Sequence, residues 1–189
     1  MAKQDVYRMR VLAIVAALGL VVSAVGARVS LMSSPPMPPA GSGLRIPASV
    51  RAEHDAIHSA LENATHAPGQ VGIAARELAK VLHPHSVREE EIALPPLGVL
   101  AALANGAPIE DNAAVMKMSD TLKAELPRML EEHVRIRHAV AALRSAARSE
   151  HQPEYERLAD SLALHAESEE DVLYPAAVLA GEVIRLRKQ

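Results

Sequence analysis

The chain has 189 residues, a formal net charge of −3 and no cysteine. The charge gives no reason to expect a nucleic-acid partner, and the missing thiols exclude disulfides, thiolate-held metals and iron–sulfur clusters. Phe and Trp are absent and Tyr occurs three times, so a core must be built from Leu, Val, Ile, Ala and Met, a composition that favours helix.

Residues 1–10 carry Lys3, Arg8 and Arg10 against a single acid, Asp5, and Val11–Ala27 follows without a charge. This reads either as a short membrane anchor or as a cleaved signal segment, with Val25-Gly26-Ala27 offering small residues for cleavage. In both readings the basic end stays cytoplasmic, and the remainder is expected on the periplasmic or extracytoplasmic side. Residues 28–48 form a linker. Its stretch SSPPMPPAGSG, 33–43, is stiffened by proline and loosened by Gly and Ser.

The folded domain is expected over residues 49–189, all-α. A first helix spans 49–65, with Ser49 as a candidate N-cap and Ala67-Pro68-Gly69 as a stop. A second spans 70–94, kinked or divided at Pro84 and ended by Pro95-Pro96. A short helix over 97–104 connects to a third over 110–149, with a break expected near Pro127. The fourth spans 153–186 and bends at Pro175. Leu126, Leu130, Val134 and Ile136 recur at helical spacing. Four long helices with short connections predict an antiparallel four-helix bundle.

Two stretches are written twice. HSVREEEIALP at 85–95 returns as HAESEEDVLYP at 165–175, and EHDAIHSA at 53–60 returns as EHVRIRHA at 132–139. The domain therefore reads as two copies of one helical hairpin related by a pseudo-two-fold axis. Each copy brings a histidine on its first helix and His-x-x-x-Glu on its second.

Residues four apart on a helix share a face, with Cβ atoms about 5–6 Å apart. His85 with Glu89, His165 with Glu169, and His54 with His58 can each grip one ion, whereas His133 is followed four residues on by Arg137. Pointed inward, these are five imidazoles and two carboxylates, too many ionisable groups to bury without a compensating partner. Two divalent metals bridged by the glutamates would satisfy them, and sulfur-free imidazole–carboxylate ligation suits iron, manganese or zinc. Glu53 and Glu132, next to the first-helix histidines, read as groups that orient a ligand or as plain surface charges. His66, His83, His138 and His151 read as ordinary solvent-facing histidines, and Arg135, Arg137, Arg144 and Arg148 as a solvated face.

The ordered pattern His…His-x-x-x-Glu…His…His-x-x-x-Glu, with Glu-Glu-x-x-Leu-Tyr-Pro after the last histidine, resembles the hemerythrin-like domains of the HHE cation-binding type over about residues 49–186. That resemblance implies a non-heme di-iron centre that binds dioxygen or a related small molecule such as nitric oxide or peroxide. Matched by motif, its ligands are His54, His85, Glu89, His133, His165 and Glu169, with Glu89 and Glu169 as bridges. The chain departs from the animal oxygen carriers in placing His-x-x-x-His on the first helix. Exchanging the halves then assigns one metal to His54, His58 and His85 and the other, with an open position, to His133 and His165. Glu170 matches the longer animal spacing, but Glu169 corresponds to Glu89 in the repeat and is the expected ligand.

Three functions fit these residues: reversible small-ligand binding for sensing, scavenging or storage, an oxygen- or peroxide-activating enzyme, and a membrane-tethered metal buffer. No nucleophile motif accompanies the histidines and no phosphate-binding glycine loop is present. Histidine-rich ligation leans toward binding rather than catalysis.

Overall fold

A computed structural model describes residues 44–188. The expected anchor or signal segment at 11–27 and most of the linker lie outside these residues. Among the described residues no helix is long and apolar enough to cross a membrane, and there is no strand.

The helices are α1 (Ala48–Thr65), α2 (Gly69–Ile92), a 3₁₀ turn (Pro95–Val99) leading into the short α3 (Leu100–Ala104), α4 (Asn112–Ser149), α5 (Pro153–Ser168) and α6 (Tyr174–Arg187). A π-helical turn, Glu169–Leu173, joins α5 to α6, so the two read as one long rod. With that rod counted once, α1, α2, α4 and α5–α6 make a four-helix bundle.

The prolines act differently from one another. Pro84 and Pro127 neither divide nor end a helix: α2 runs unbroken through the first and the 38-residue α4 through the second. Both are exposed, so the carbonyls they leave without an amide partner can turn to water. Pro95 and Pro175 do alter the backbone. The residue before each one donates its N–H five residues back instead of four, Leu94 to Glu89 and Tyr174 to Glu169. A proline lacks the N–H for the next rung and its ring crowds the carbonyl four residues earlier, and a widened turn relieves that crowding. In each half of the chain the widened turn opens at the glutamate of His-x-x-x-Glu.

Two helix starts differ from the sequence expectation. Ser49 is not a cap: α1 begins at Ala48, flanked by Pro47, with no side-chain cap. The N-terminus of α2 is capped from across the bundle. Glu150, just past the end of α4, accepts hydrogen bonds from Gln70 N (2.6 Å) and Val71 N (3.2 Å). Gly69 has φ +72°, and a Cβ there would run into the Glu150 carboxylate, so glycine is required on both counts.

The apolar core lies in two main blocks and a smaller third. One main block gathers Ile57, Leu61, Leu78, Leu82, Ile136, Val140, Leu143 and Leu162; the other gathers Ile92, Leu94, Leu97, Leu122, Met129 and Tyr174; the third gathers Val99, Leu103, Val115, Ala180 and Ile184. On α4 the buried stripe is Met129, His133, Ile136, Val140 and Leu143. Leu130 and Val134, which helical spacing had placed with Ile136 in the core, are 36% and 48% exposed. They sit one residue to the solvent side of the true stripe. Each large aliphatic side chain buried this way contributes about 1.5–3 kcal/mol. Between the blocks, one helical turn from each of the four rods is polar.

The trans cap yields a direct expectation. Glu150→Ala should lower unfolding stability by about 1 kcal/mol through loss of the α2 cap, read by urea denaturation. An unchanged midpoint would remove Glu150 from that role.

Candidate metal centre

His54 from α1, His85 and Glu89 from α2, His133 from α4, His165 from α5 and Glu169 from the π turn meet in that polar layer, none more than 7% exposed. Their donor atoms fall into two groups, each within 4.8 Å. The first is His85, Glu89, His133 and Glu169, and the second is His54, His165 and Glu169. Glu169 belongs to both. Its Oε2 lies 3.4 Å from His133 Nε2, and its Oε1 lies 2.8 Å from His165 Nε2 and 3.4 Å from His54 Nε2.

The grouping crosses the hairpins. Sequence reasoning had placed His54 with His58 and His85, and His133 with His165. The structure instead sets His85 against His133, with Nε2 atoms 2.8 Å apart, and His54 against His165, with ring centroids 4.7 Å apart. Each pair thus joins the first-helix histidine of one repeat to the second-helix histidine of the other. Glu89 is brought into the first group alone. His58 stands outside both groups, half-buried, its ring centroid 6.3 Å from that of His54. His66, His83, His138 and His151 are exposed.

The far ring nitrogens follow the same crossing. His85 Nδ1 lies 2.9 Å from Glu132, beside His133, and His165 Nδ1 lies 3.2 Å from Glu53, beside His54. The acids that precede the first-helix histidines therefore orient the second-helix histidines of the opposite repeat. His133 Nδ1 is held by Glu170 at 2.8 Å, and Glu170 is in turn paired with Arg137. Such carboxylate backing fixes each ring so that Nε2 faces inward. The extra residue in the π turn lets consecutive acids do different work: Glu169 reaches the centre while Glu170 holds a ligand's far side.

Tyr174 is a member of this layer that sequence reasoning did not assign. It is 1% exposed, its hydroxyl donates to Glu89 Oε1 at 2.5 Å, and its ring stacks on His133. The sequence signals were its place in the Glu-Glu-x-x-Leu-Tyr-Pro motif and in the repeat, where the first half has Leu94.

The electrostatics reflect crowding. Burial and the neighbouring Glu169 charge push the Glu89 carboxyl up. Burial acts the same way on Glu169, but His133, His165 and His54 outweigh it and hold that carboxylate well below the usual range. Burial opposes a charge on His165, yet Glu169 and Glu53 raise it to about 9, and Glu89 and Glu132 raise His85 in the same sense. His58 is lowered by burial and by His54, which leaves its lone pair free. Burial and the Glu89 and Glu169 carboxylates push the Tyr174 phenol up, so it acts as a neutral donor.

The residues fit a metal. His54 Nε2 and Glu169 Oε1 are buried, face each other at 3.4 Å and make no well-formed hydrogen bond, although His165 Nε2 lies 2.8 Å from that oxygen. An orphaned buried polar atom costs about 1–3 kcal/mol, more when charged. Imidazole and carboxylate without sulfur is the donor set of first-row divalent ions.

The shifts fix a sign for the metal-stripped protein. His165 has a folded pKa above its ordinary 6.5, so its contribution is complete below pH 6.5 and is lost as pH rises through about 9. The raised His85 and Glu89 act in the same direction. The melting temperature of stripped protein should therefore fall between pH 6.5 and 9, while metal affinity climbs over the same interval as protons stop competing for imidazole. A flat melting temperature across that range in a calorimetric series would contradict this electrostatic reading.

Comparison with known proteins gives one match. The family model described as the hemerythrin HHE cation binding domain matches residues 45–177, which include both histidine–carboxylate groups and Tyr174. No curated protein and no solved structure matches the chain. The match spans most of the chain and nearly all of the bundle: this protein belongs to the hemerythrin family of HHE cation-binding domains, and its buried histidine–carboxylate layer could hold the cation.

Proposed function

We propose that the chain holds two non-heme iron ions and binds a small ligand such as dioxygen, nitric oxide or peroxide, for sensing, scavenging or storage. The observation that carries this is Glu169, whose Oε2 faces His133 and whose Oε1 faces His165 and His54 within a buried layer. One position has His85, Glu89, His133 and Glu169 as donors, and the other has His54, His165 and Glu169. His58, one turn from His54 and drawn toward its neutral form, is the further imidazole available to the poorer position. The crossed pairs, with Glu53 and Glu132 crossing likewise, support two hairpins related by a pseudo-two-fold axis.

Bound iron would supply reversible electron sharing with a small ligand. The protein's own residues orient the imidazoles through Glu53, Glu132 and Glu170, flank the layer with apolar blocks, and hold the Tyr174 hydroxyl beside Glu89. Binding is favoured over enzymatic turnover by the histidine-rich donor set, four imidazoles to two carboxylates. Manganese or zinc fits the same donors, and a membrane-tethered metal buffer is the reading that survives if no small ligand binds. Export through residues 11–27 belongs to this proposal and places the domain on the extracytoplasmic side.

Purified protein loaded with ferrous iron and exposed to air should contain about two irons per chain. It should show oxo-bridged charge-transfer absorption in the near ultraviolet that changes on adding azide. In the same assay His58→Ala should weaken azide or iron binding at one position only. Zinc alone, or iron with an azide-insensitive spectrum, would overturn the small-ligand function.

A further inference from the structure

Tyr174 lies closer to the centre than a structural hydrogen bond requires. Its Oη is 2.5 Å from Glu89 Oε1, 3.3 Å from His85 Nε2 and 3.2 Å from His133 Nε2. Those three atoms are donors of the first metal position. Three further separations there are similar: 2.8 Å between the two Nε2 atoms, 3.5 Å from His85 Nε2 to Glu89 Oε1 and 3.4 Å from His133 Nε2 to Glu169 Oε2. Donors at right angles around an ion with bonds of about 2.1 Å are about 3 Å apart. Tyr174 Oη thus joins three atoms of the His85, Glu89, His133 and Glu169 cluster at near ligand-to-ligand spacing.

A hydroxyl merely satisfied by Glu89 has no need to approach both imidazole nitrogens on the side they turn to the centre. Ring stacking on His133 and burial on all sides fix the phenol there and leave it little freedom to withdraw. The first repeat has Leu94 at the corresponding place, so the repeat supplies no matching hydroxyl.

We propose that Tyr174 Oη is a direct donor to the metal held by His85, Glu89, His133 and Glu169. The two positions of the centre are then chemically unlike. This rests on the metal-binding reading above and deepens it. The first position takes five donors from the protein, three of them oxygen, and suits the harder ferric ion. On coordination the Oη–metal bond forms and the phenol proton passes to solvent, as the protons of the imidazoles do. The exogenous ligand is left to the His54–His165 position, where the protein supplies fewer atoms.

The test is the visible absorption and resonance Raman spectrum of the full chain, loaded with ferrous iron and oxidised with ferricyanide. A phenolate bound to ferric iron absorbs broadly in the visible and, excited there, enhances tyrosinate ring vibrations. Unmodified protein should show both. Tyr174→Phe, nearly the same shape, should lose both while retaining its iron. Tyr155 packs in the distant apolar block, so it cannot substitute. Iron-loaded protein without tyrosinate vibrations overturns the proposal even if the variant fails to fold. The same visible band in both proteins overturns it equally. Failure of the unmodified protein to take up iron removes the metal reading itself, an outcome distinct from iron bound without tyrosinate.

Discussion

The structure depends on the burial of one carboxylate, Glu169, among histidines. Placed alone between two apolar blocks, its charge would be costly. Here three imidazoles face it, and their attraction outweighs the burial that would otherwise neutralise it. Glu89, a few ångströms away, has one histidine and a phenol and is driven toward its protonated form. The two glutamates hold matching places in the repeat and opposite electrostatic situations. Even with this mutual compensation, His54 Nε2 and Glu169 Oε1 lack a well-formed hydrogen bond, although His165 Nε2 lies 2.8 Å from that oxygen. A divalent ion against Glu169 resolves both the surplus of donors and the orphaned atoms. This is why the layer is better understood as a metal site than as a polar plug in the core.

The backbone prepares that arrangement. Pro95 and Pro175 each force a five-residue hydrogen bond onto the carbonyl of a centre glutamate. In the first half the helix then ends in a 3₁₀ turn. In the second it continues, and the widened turn rotates Glu169 inward while Glu170 reaches His133 and Arg137. One sequence device, glutamate followed six residues later by proline, thus yields two results according to whether the chain goes on. Near-symmetry in the sequence becomes a centre with a richer and a poorer side.

Much of this was legible in the sequence because ligand chemistry is written at helical spacing. The repeated His-x-x-x-Glu and the Glu-His pairs identified the residues that meet, and the absence of cysteine narrowed what they could do. What could not be read was which histidine faces which. Spacing reports neighbours on one helix, and the pairing is set by how four helices pack, so a hairpin-wise partition of the imidazoles looked reasonable and the observed pairing crosses it. Leu130 and Val134 show the same limit: a one-residue rotation of α4 separates a buried stripe from an exposed one, and apolar side chains occur on both. Pro84 and Pro127 were over-read as breaks because their exposure on the helix surface depends on packing. Tyr174 was visible as a motif letter, but its role follows from a π turn that sequence periodicity does not encode.

The central claim is that Glu169 serves both metal positions whereas Glu89 serves one. It is tested most directly by titrating ferrous iron anaerobically into Glu169→Gln and Glu89→Gln, with circular dichroism as a check on folding. The account predicts that Glu89→Gln keeps about one tightly bound iron per chain and that Glu169→Gln loses tight binding at both positions. Equal iron content in the two variants, or two irons retained by Glu169→Gln, would contradict it.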